Sequence, residues 1–147
     1  MRQKLKHFFS AQQFSNRSDI IVGTGSRDRY SLSDGAYHDR LSRVKYFFSG
    51  GIYDKFIPPK YFEICNYGAC LVSPELPLMR ECGWIPNVNY IKLENVNDIF
   101  DILESDLWER VGKAGRELVQ SRHTVEQRAE TLMKYFLRWR ACEMEGY

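Results

Sequence analysis

No two cysteines in this chain of 147 residues are spaced C-x-x-C, and none of the four has a histidine at zinc-finger spacing. That removes a zinc finger and a thioredoxin-type redox pair. No apolar run approaches the roughly 20 residues that cross a bilayer, and KHFFSAQQF near the start is too short and too polar for a signal-peptide core. An excess of one charge is lacking too. Lys and Arg number 21 against 19 Asp and Glu, a net of +2, which is too little to make nucleic acid or an anionic membrane the main partner. The basic clusters at Met1–Lys6 and Arg27–Arg29 read as solvated surface. There is no D-x-D pair, so the sequence requires no divalent metal, and no G-x-S-x-G in which a hydrolase serine could sit. Internal repeats and low-complexity segments are also missing. The irregular cysteine spacing and the absence of a leader predict a cytoplasmic protein whose Cys65, Cys70, Cys82 and Cys142 are free thiols.

What is present is the content of one ordinary globular domain, 44% hydrophobic and 27% charged. Short apolar runs alternate with amphipathic stretches, the pattern of a parallel α/β sheet. Asp19 to Gly23 (DIIVG) reads as a first strand. Ala36 to Val44 reads as a helix with Tyr37, Leu41 and Val44 on one face, and Lys45 to Ser49 (KYFFS) as a second strand. Pro58 and Pro59 suit the first turn of the next helix, where a missing N–H is harmless, and Gly68 suits its end. Ala69 to Ser73 is a third strand, Glu75 to Cys82 a short helix and Asn89 to Leu93 a fourth strand. Helices then span about 96–104, 106–120 and 125–140. The last opens on a T-x-x-Q capping box at Thr124 and Gln127. Its Val125, Ala129, Leu132, Met133 and Phe136 keep helical spacing for a stripe against the sheet, leaving Trp139 and Met144 as surplus apolar surface. The expected organisation is an N-terminal extension at 1–18, one domain at 19–141 and a tail at 142–147.

The segment PPKYFEICNYGACLVSPE carries the chemistry worth weighing. A helix that opens at Pro58 presents N–H groups and a positive dipole end to any anion. Lys60 adds a full charge there, and Glu63 follows three residues later on the same face. One reading is an ordinary surface Lys–Glu pair. The other is a cation for a diphosphate beside a carboxylate that can accept two ribose hydroxyl protons. Gly23 and Gly25 (G-x-G) start a dinucleotide-type loop, but Asp28 stands where the third glycine belongs. That leaves a common strand-to-helix turn, or a loop that approaches a phosphate; an NAD-type binder is disfavoured. His38 and His123 read as structural, His123 with a donor contact as the alternative, and Trp108, Tyr135 and Trp139 as core or interface residues.

KYFEICNYGACLV, the acidic loop, NYIKL, the W-x-R-V-G-x-A-G-R helix and RHTVEQRAETLMKYF together resemble the C-terminal half of GT-B glycosyltransferases. Within these, the chain is similar to the short glycosyltransferase-like family that includes spore-surface maturation proteins. The pattern is met at Lys60, Tyr61, Phe62, Glu63, Gly68 and Val72, and again at His123, Thr124, Arg128 and Ala129; it covers roughly Ile20 to Phe136. The resemblance implies a Rossmann-like parallel sheet of about four strands with helices on both faces and a C-terminal helical segment. It implies a nucleoside-diphosphate sugar as donor and no cofactor. Glu63 would hold the ribose and Lys60 the phosphates, with Ser73, Glu75 and Leu76 beside the sugar or diphosphate. An acceptor glycan, lipid or protein would complete the reaction.

Two departures follow from the same comparison. Lys55 occupies the position of a second glutamate found upstream in many retaining members, with Asp54 the nearest carboxylate. The acceptor half, which carries the catalytic base of inverting members, is not matched, so no catalytic residue is assigned. The chain is therefore expected to be part of a transferase completed by another domain, a partner chain or self-association. The alternative is a non-catalytic nucleotide-binding or protein-interaction module.

Overall fold

The computed structural model describes Leu5, Phe8 and residues 20–23, 34–50 and 56–145. The rest of the N-terminal extension, Gly25, Asp54 and Lys55 lie outside the described residues. β1 (Ile20–Gly23), α1 (Asp34–Leu41), β2 (Tyr46–Ser49), α2 (Pro59–Asn66), β3 (Cys70–Ser73) and β4 (Ile91–Lys92) follow in chain order. A 3-10 turn (Val96–Asp98), α3 (Ile99–Glu104), α4 (Leu107–Arg122) and α5 (Val125–Glu145) complete the chain. The architecture is the expected α/β one, Rossmann-like.

All strand pairs are parallel, and the order across the sheet is the order along the chain, β1-β2-β3-β4. Tyr46 lies opposite Ile20 and Cys70, and Val72 opposite Ile91. β2 and β3 are buried at every position because both faces of the sheet are covered. Side chains alternate between those faces. Phe47 and Leu71 point into one core with Leu41, Val44, Tyr61, Ile64, Met79 and Trp84. Tyr46, Phe48, Cys70, Val72 and Ile91 point into the other with Leu5, Ile99 and Val111. A sheet that always steps in one direction through crossovers of one hand puts its connecting segments on one side. The first core, built from α1, α2 and residues 76–90, is that side.

α4 takes part in both cores, with Val111 in one and Leu118 and Val119 in the other. It can do so because Gly112 lies against the Gly68 carbonyl and the Cys70 amide, at the amino end of β3. The chain turns there through Gly68 at φ 82°, a left-handed conformation that suits glycine.

Three expectations are corrected. Glu75–Cys82 is a series of turns and not a helix. Pro77 disfavours the helical conformation at the preceding Leu76, and Leu78 sits at φ 65°, which breaks the ladder. The fourth strand shrinks to Ile91–Lys92, because Tyr90 bridges back to Pro86 and the Leu93 amide donates to the Ser73 carbonyl at the strand's end. α5 starts on the expected box, with the Gln127 amide donating to Thr124 Oγ1 (3.3 Å) and the Thr124 amide to Gln127 Oε1 (3.0 Å). Its apolar stripe, however, does not reach the sheet: every residue from Arg128 to Cys142 is exposed. The side chain of Met144 lies outside the described ones.

Candidate functional site

In parallel α/β sheets ligands bind beyond the carboxyl ends of the strands. Here Gly23, Ser49, Ser73 and Lys92 end the four strands. The helix that stands over this edge is α2. Pro58 is its N-cap, in an extended conformation with ψ 143°, and Pro59 occupies the first helical position. No side chain caps the helix, and its first turn holds no acidic residue. The positive end of its dipole therefore faces the strand ends without an internal carboxylate to neutralise it.

Tyr61 fixes that position. Its ring is fully buried in the core, and its hydroxyl donates to the Ser49 carbonyl at the end of β2 (3.4 Å). Burial pushes the phenol pKa up, while Ser73 and Ser49 at the strand ends pull it partly back. The first turn of α2 is thus seated over the carboxyl ends of β2 and β3. Lys60, in the same turn, is half-buried with Nζ 6.0 Å from the Phe47 ring centroid. Glu63 follows one turn along and is exposed, close enough to Tyr37 on α1 to raise its phenol pKa beyond what burial does.

The segment after β3 supplies the remaining expected residues. Ser73 is buried, with its hydroxyl donating to the Pro74 carbonyl (3.0 Å). Leu76 turns its side chain into the core, and its amide points to Met79 Sδ (3.3 Å). Glu75 stays half-buried at the surface and gathers two cations. Arg80 Nε lies 2.6 Å from Oε1, and Lys92 Nζ, at the end of β4, lies 3.4 Å from Oε2. Lys92 also pairs with Glu94 at 2.9 Å. The Arg80 hydrogen bond, opposed by some desolvation and helped by Lys92, holds the Glu75 carboxyl below the usual carboxylate range. A surface depression of about 450 Å³ is lined by Glu75, Leu76, Pro77, Leu78, Arg80 and Glu81.

Among the described residues, Ser49 Oγ and the Tyr90 hydroxyl are buried without a hydrogen-bond partner. Burial, then the nearby Glu75 carboxylate, raise the Tyr90 pKa to about 12. A group of three or more His, Cys, Asp or Glu side chains placed to hold a metal ion does not occur among the described residues.

The structure places Lys60 in the first turn of α2 with Nζ toward the Phe47 ring, and separately gathers Glu75, Arg80 and Lys92 beyond the ends of β3 and β4. It sets Glu63 one turn back, between α1 and α2. Gly23 ends β1 at the same edge. His123 lies at the corner between α4 and α5, with its ring against Phe62 (centroids 5.0 Å apart) and Nε2 donating to the Cys82 carbonyl at 2.8 Å. Sequence reasoning missed Tyr61, which in an apolar helix reads as core, and Arg80 and Lys92, whose shared partner Glu75 is set by the fold. Lys92 alone carried a signal, as the one charge in the strand NYIKL.

A parallel sheet covered by helices, with a proline-started helix over its carboxyl edge, defines a Rossmann-like α/β domain. The model of the family described as glycosyl transferase-like matches residues 4–134, and the chain belongs to that family. No curated protein and no solved structure matches it. No helix among the described residues is long and apolar enough to cross a membrane.

Proposed function

We propose that this domain binds a nucleoside-diphosphate sugar as the donor half of a cytoplasmic GT-B glycosyltransferase of the short, spore-maturation-like kind. The observation that carries this reading is the first turn of α2, seated by Tyr61 over the ends of β2 and β3, with Lys60 on it and Glu63 one turn behind. The diphosphate lies at the helix N-terminus, where Lys60 and the dipole meet its charge. Glu63 accepts hydrogen bonds from the ribose hydroxyls. In transfer, the bond between the anomeric carbon and the diphosphate oxygen breaks and a bond to the acceptor hydroxyl oxygen forms. Negative charge then grows on the leaving diphosphate. Lys60 and the helix end are in place before that charge develops, so they stabilise the transition state more than the ground state. Ser73 and Glu75 border the sugar, and a glycan, lipid or protein hydroxyl receives it.

The test is calorimetric titration with UDP, GDP, ADP, CDP and dTDP in the presence of a chelator. One of them binds, and Glu63→Ala weakens it by about 1–3 kcal/mol through loss of charge-assisted hydrogen bonds. Equal affinity in wild type and Glu63→Ala removes Glu63 from the site, and no binding by any of the five removes the donor reading.

A further inference from the structure

Beyond Arg128 every described side chain of α5 is exposed, so none of them packs against the described body of the domain. The helix's first turn is fastened there by the Thr124–Gln127 box, by Gln127 Nε2 donating to the Ser121 carbonyl (2.8 Å) and by Arg128 over the Phe62 ring (5.7 Å). Beyond it stand large apolar side chains: Leu132 is 70% exposed, Trp139 57% and Phe136 48%. They lie on one stripe. Val125, Ala129, Leu132, Phe136 and Trp139 follow spacings of four and three in alternation, the seam of a two-stranded coiled coil. Phe136 and Trp139 already lean together on it, with ring centroids 6.0 Å apart. An exposed stripe of this kind marks a partner surface.

The identity of the partner is written in the residues that flank the stripe. We infer that α5 pairs with α5 of a second copy of this chain, antiparallel, about a two-fold axis that passes by Met133. In that register Leu132 meets Phe136 of the other copy, and Ala129 meets Trp139, a small side chain opposite the largest one. The flanking positions pair by the same symmetry. Glu126 of each helix comes beside Arg140 of the other, giving two opposite-charge contacts, while Met133 meets its own counterpart. The parallel register lacks this fit. It sets Trp139 against Trp139 and Ala129 against Ala129, and it brings Arg140 to Tyr135 instead of to a carboxylate. A helix of 21 residues is about 32 Å long at 1.5 Å per residue, enough for the whole seam to engage.

The experiment is light scattering on the full chain over a series of concentrations, with charge swaps at these exposed positions. The wild type forms a dimer. Arg140→Glu places like charges together twice and raises the dimer dissociation constant about tenfold, and adding Glu126→Arg brings it back. In a Cys142→Ser background, Met133→Cys is joined to its counterpart by a short bis-maleimide, whereas Lys134→Cys on the outer face is not. A strictly monomeric chain overturns the inference. So does a dimer indifferent to both charge swaps, or cross-linking that is equal at 133 and 134.

Discussion

A methyl group on Gly112 would overlap the Gly68 carbonyl oxygen and crowd the Cys70 amide. Both obstacles are backbone, so neither can rotate away, and α4 would have to lift off β3. Gly112→Ala is therefore expected to destabilise the fold by about 1–3 kcal/mol, read as a lower urea midpoint. Gly35 is the internal control. It lies in α1 with nothing within 4 Å of the position a Cβ would take. Gly35→Ala is expected to stabilise by about 0.4–1 kcal/mol, because it restricts the unfolded chain and meets nothing in the folded one. Equal effects from the two substitutions would mean that α4 does not sit as tightly on the Gly68 turn as its geometry says. Both glycines are plain in the sequence, and the run R-V-G-x-A-G-R was recognisable as a family feature. The reason for its glycines was not, since the obstacle to a side chain at Gly112 is supplied more than forty residues earlier.

Elements were legible where local chemistry decides them. The strand pattern, the proline start and glycine stop of α2 and the capping box of α5 all follow from neighbours within a few residues, and the structure has them all. The turns at 75–82 were not legible as such, because Glu75 to Cys82 keeps an apolar spacing that Pro77 and the left-handed Leu78 override. For α5 the helix was legible and its surroundings were not. Periodicity shows that a stripe exists and is silent on what covers it. The corner between α4 and α5 yields a prediction of its own. His123 uses Nε2–H on the Cys82 carbonyl, which leaves Nδ1 unprotonated, buried and without a partner among the described residues. Burial lowers its pKa, with Arg128 and Arg122 adding to the effect against the Cys82 hydrogen bond. The unfolded chain thus binds a proton on His123 at a pH where the folded chain does not. Stability must fall as pH drops through about 6.5, and rise again toward neutrality. Glutamine can still donate to the Cys82 carbonyl and cannot titrate. The loss of urea midpoint between pH 7.5 and pH 5 is expected to be smaller in His123→Gln than in wild type. Identical losses would place the acid sensitivity elsewhere.

At the scale of the molecule, the two ends of the sheet are built differently. α4 and its glycines close the amino end, while Lys60, Ser73 and Glu75 stand at the carboxyl end and Glu63 one turn behind. The residue types of the proposed site were legible as a motif; the way Tyr61 seats them was not, because its contact joins α2 to a strand end through the core. This separation makes the donor reading testable without catalysis. Glu63 is exposed, so Glu63→Ala should leave the unliganded chain's stability within about 0.5 kcal/mol of wild type. A nucleoside diphosphate that binds only the folded state adds about 2.7 kcal/mol at one hundred times its dissociation constant. Wild type should therefore melt higher with the preferred diphosphate, and Glu63→Ala should melt at its own unliganded temperature or little above it under the same ligand concentration. Because pairing through α5 would also make melting depend on chain concentration, the comparison is run at one fixed concentration. A Glu63→Ala variant that melts lower than wild type without ligand, yet gains as much on adding it, would assign Glu63 to the fold and not to the donor.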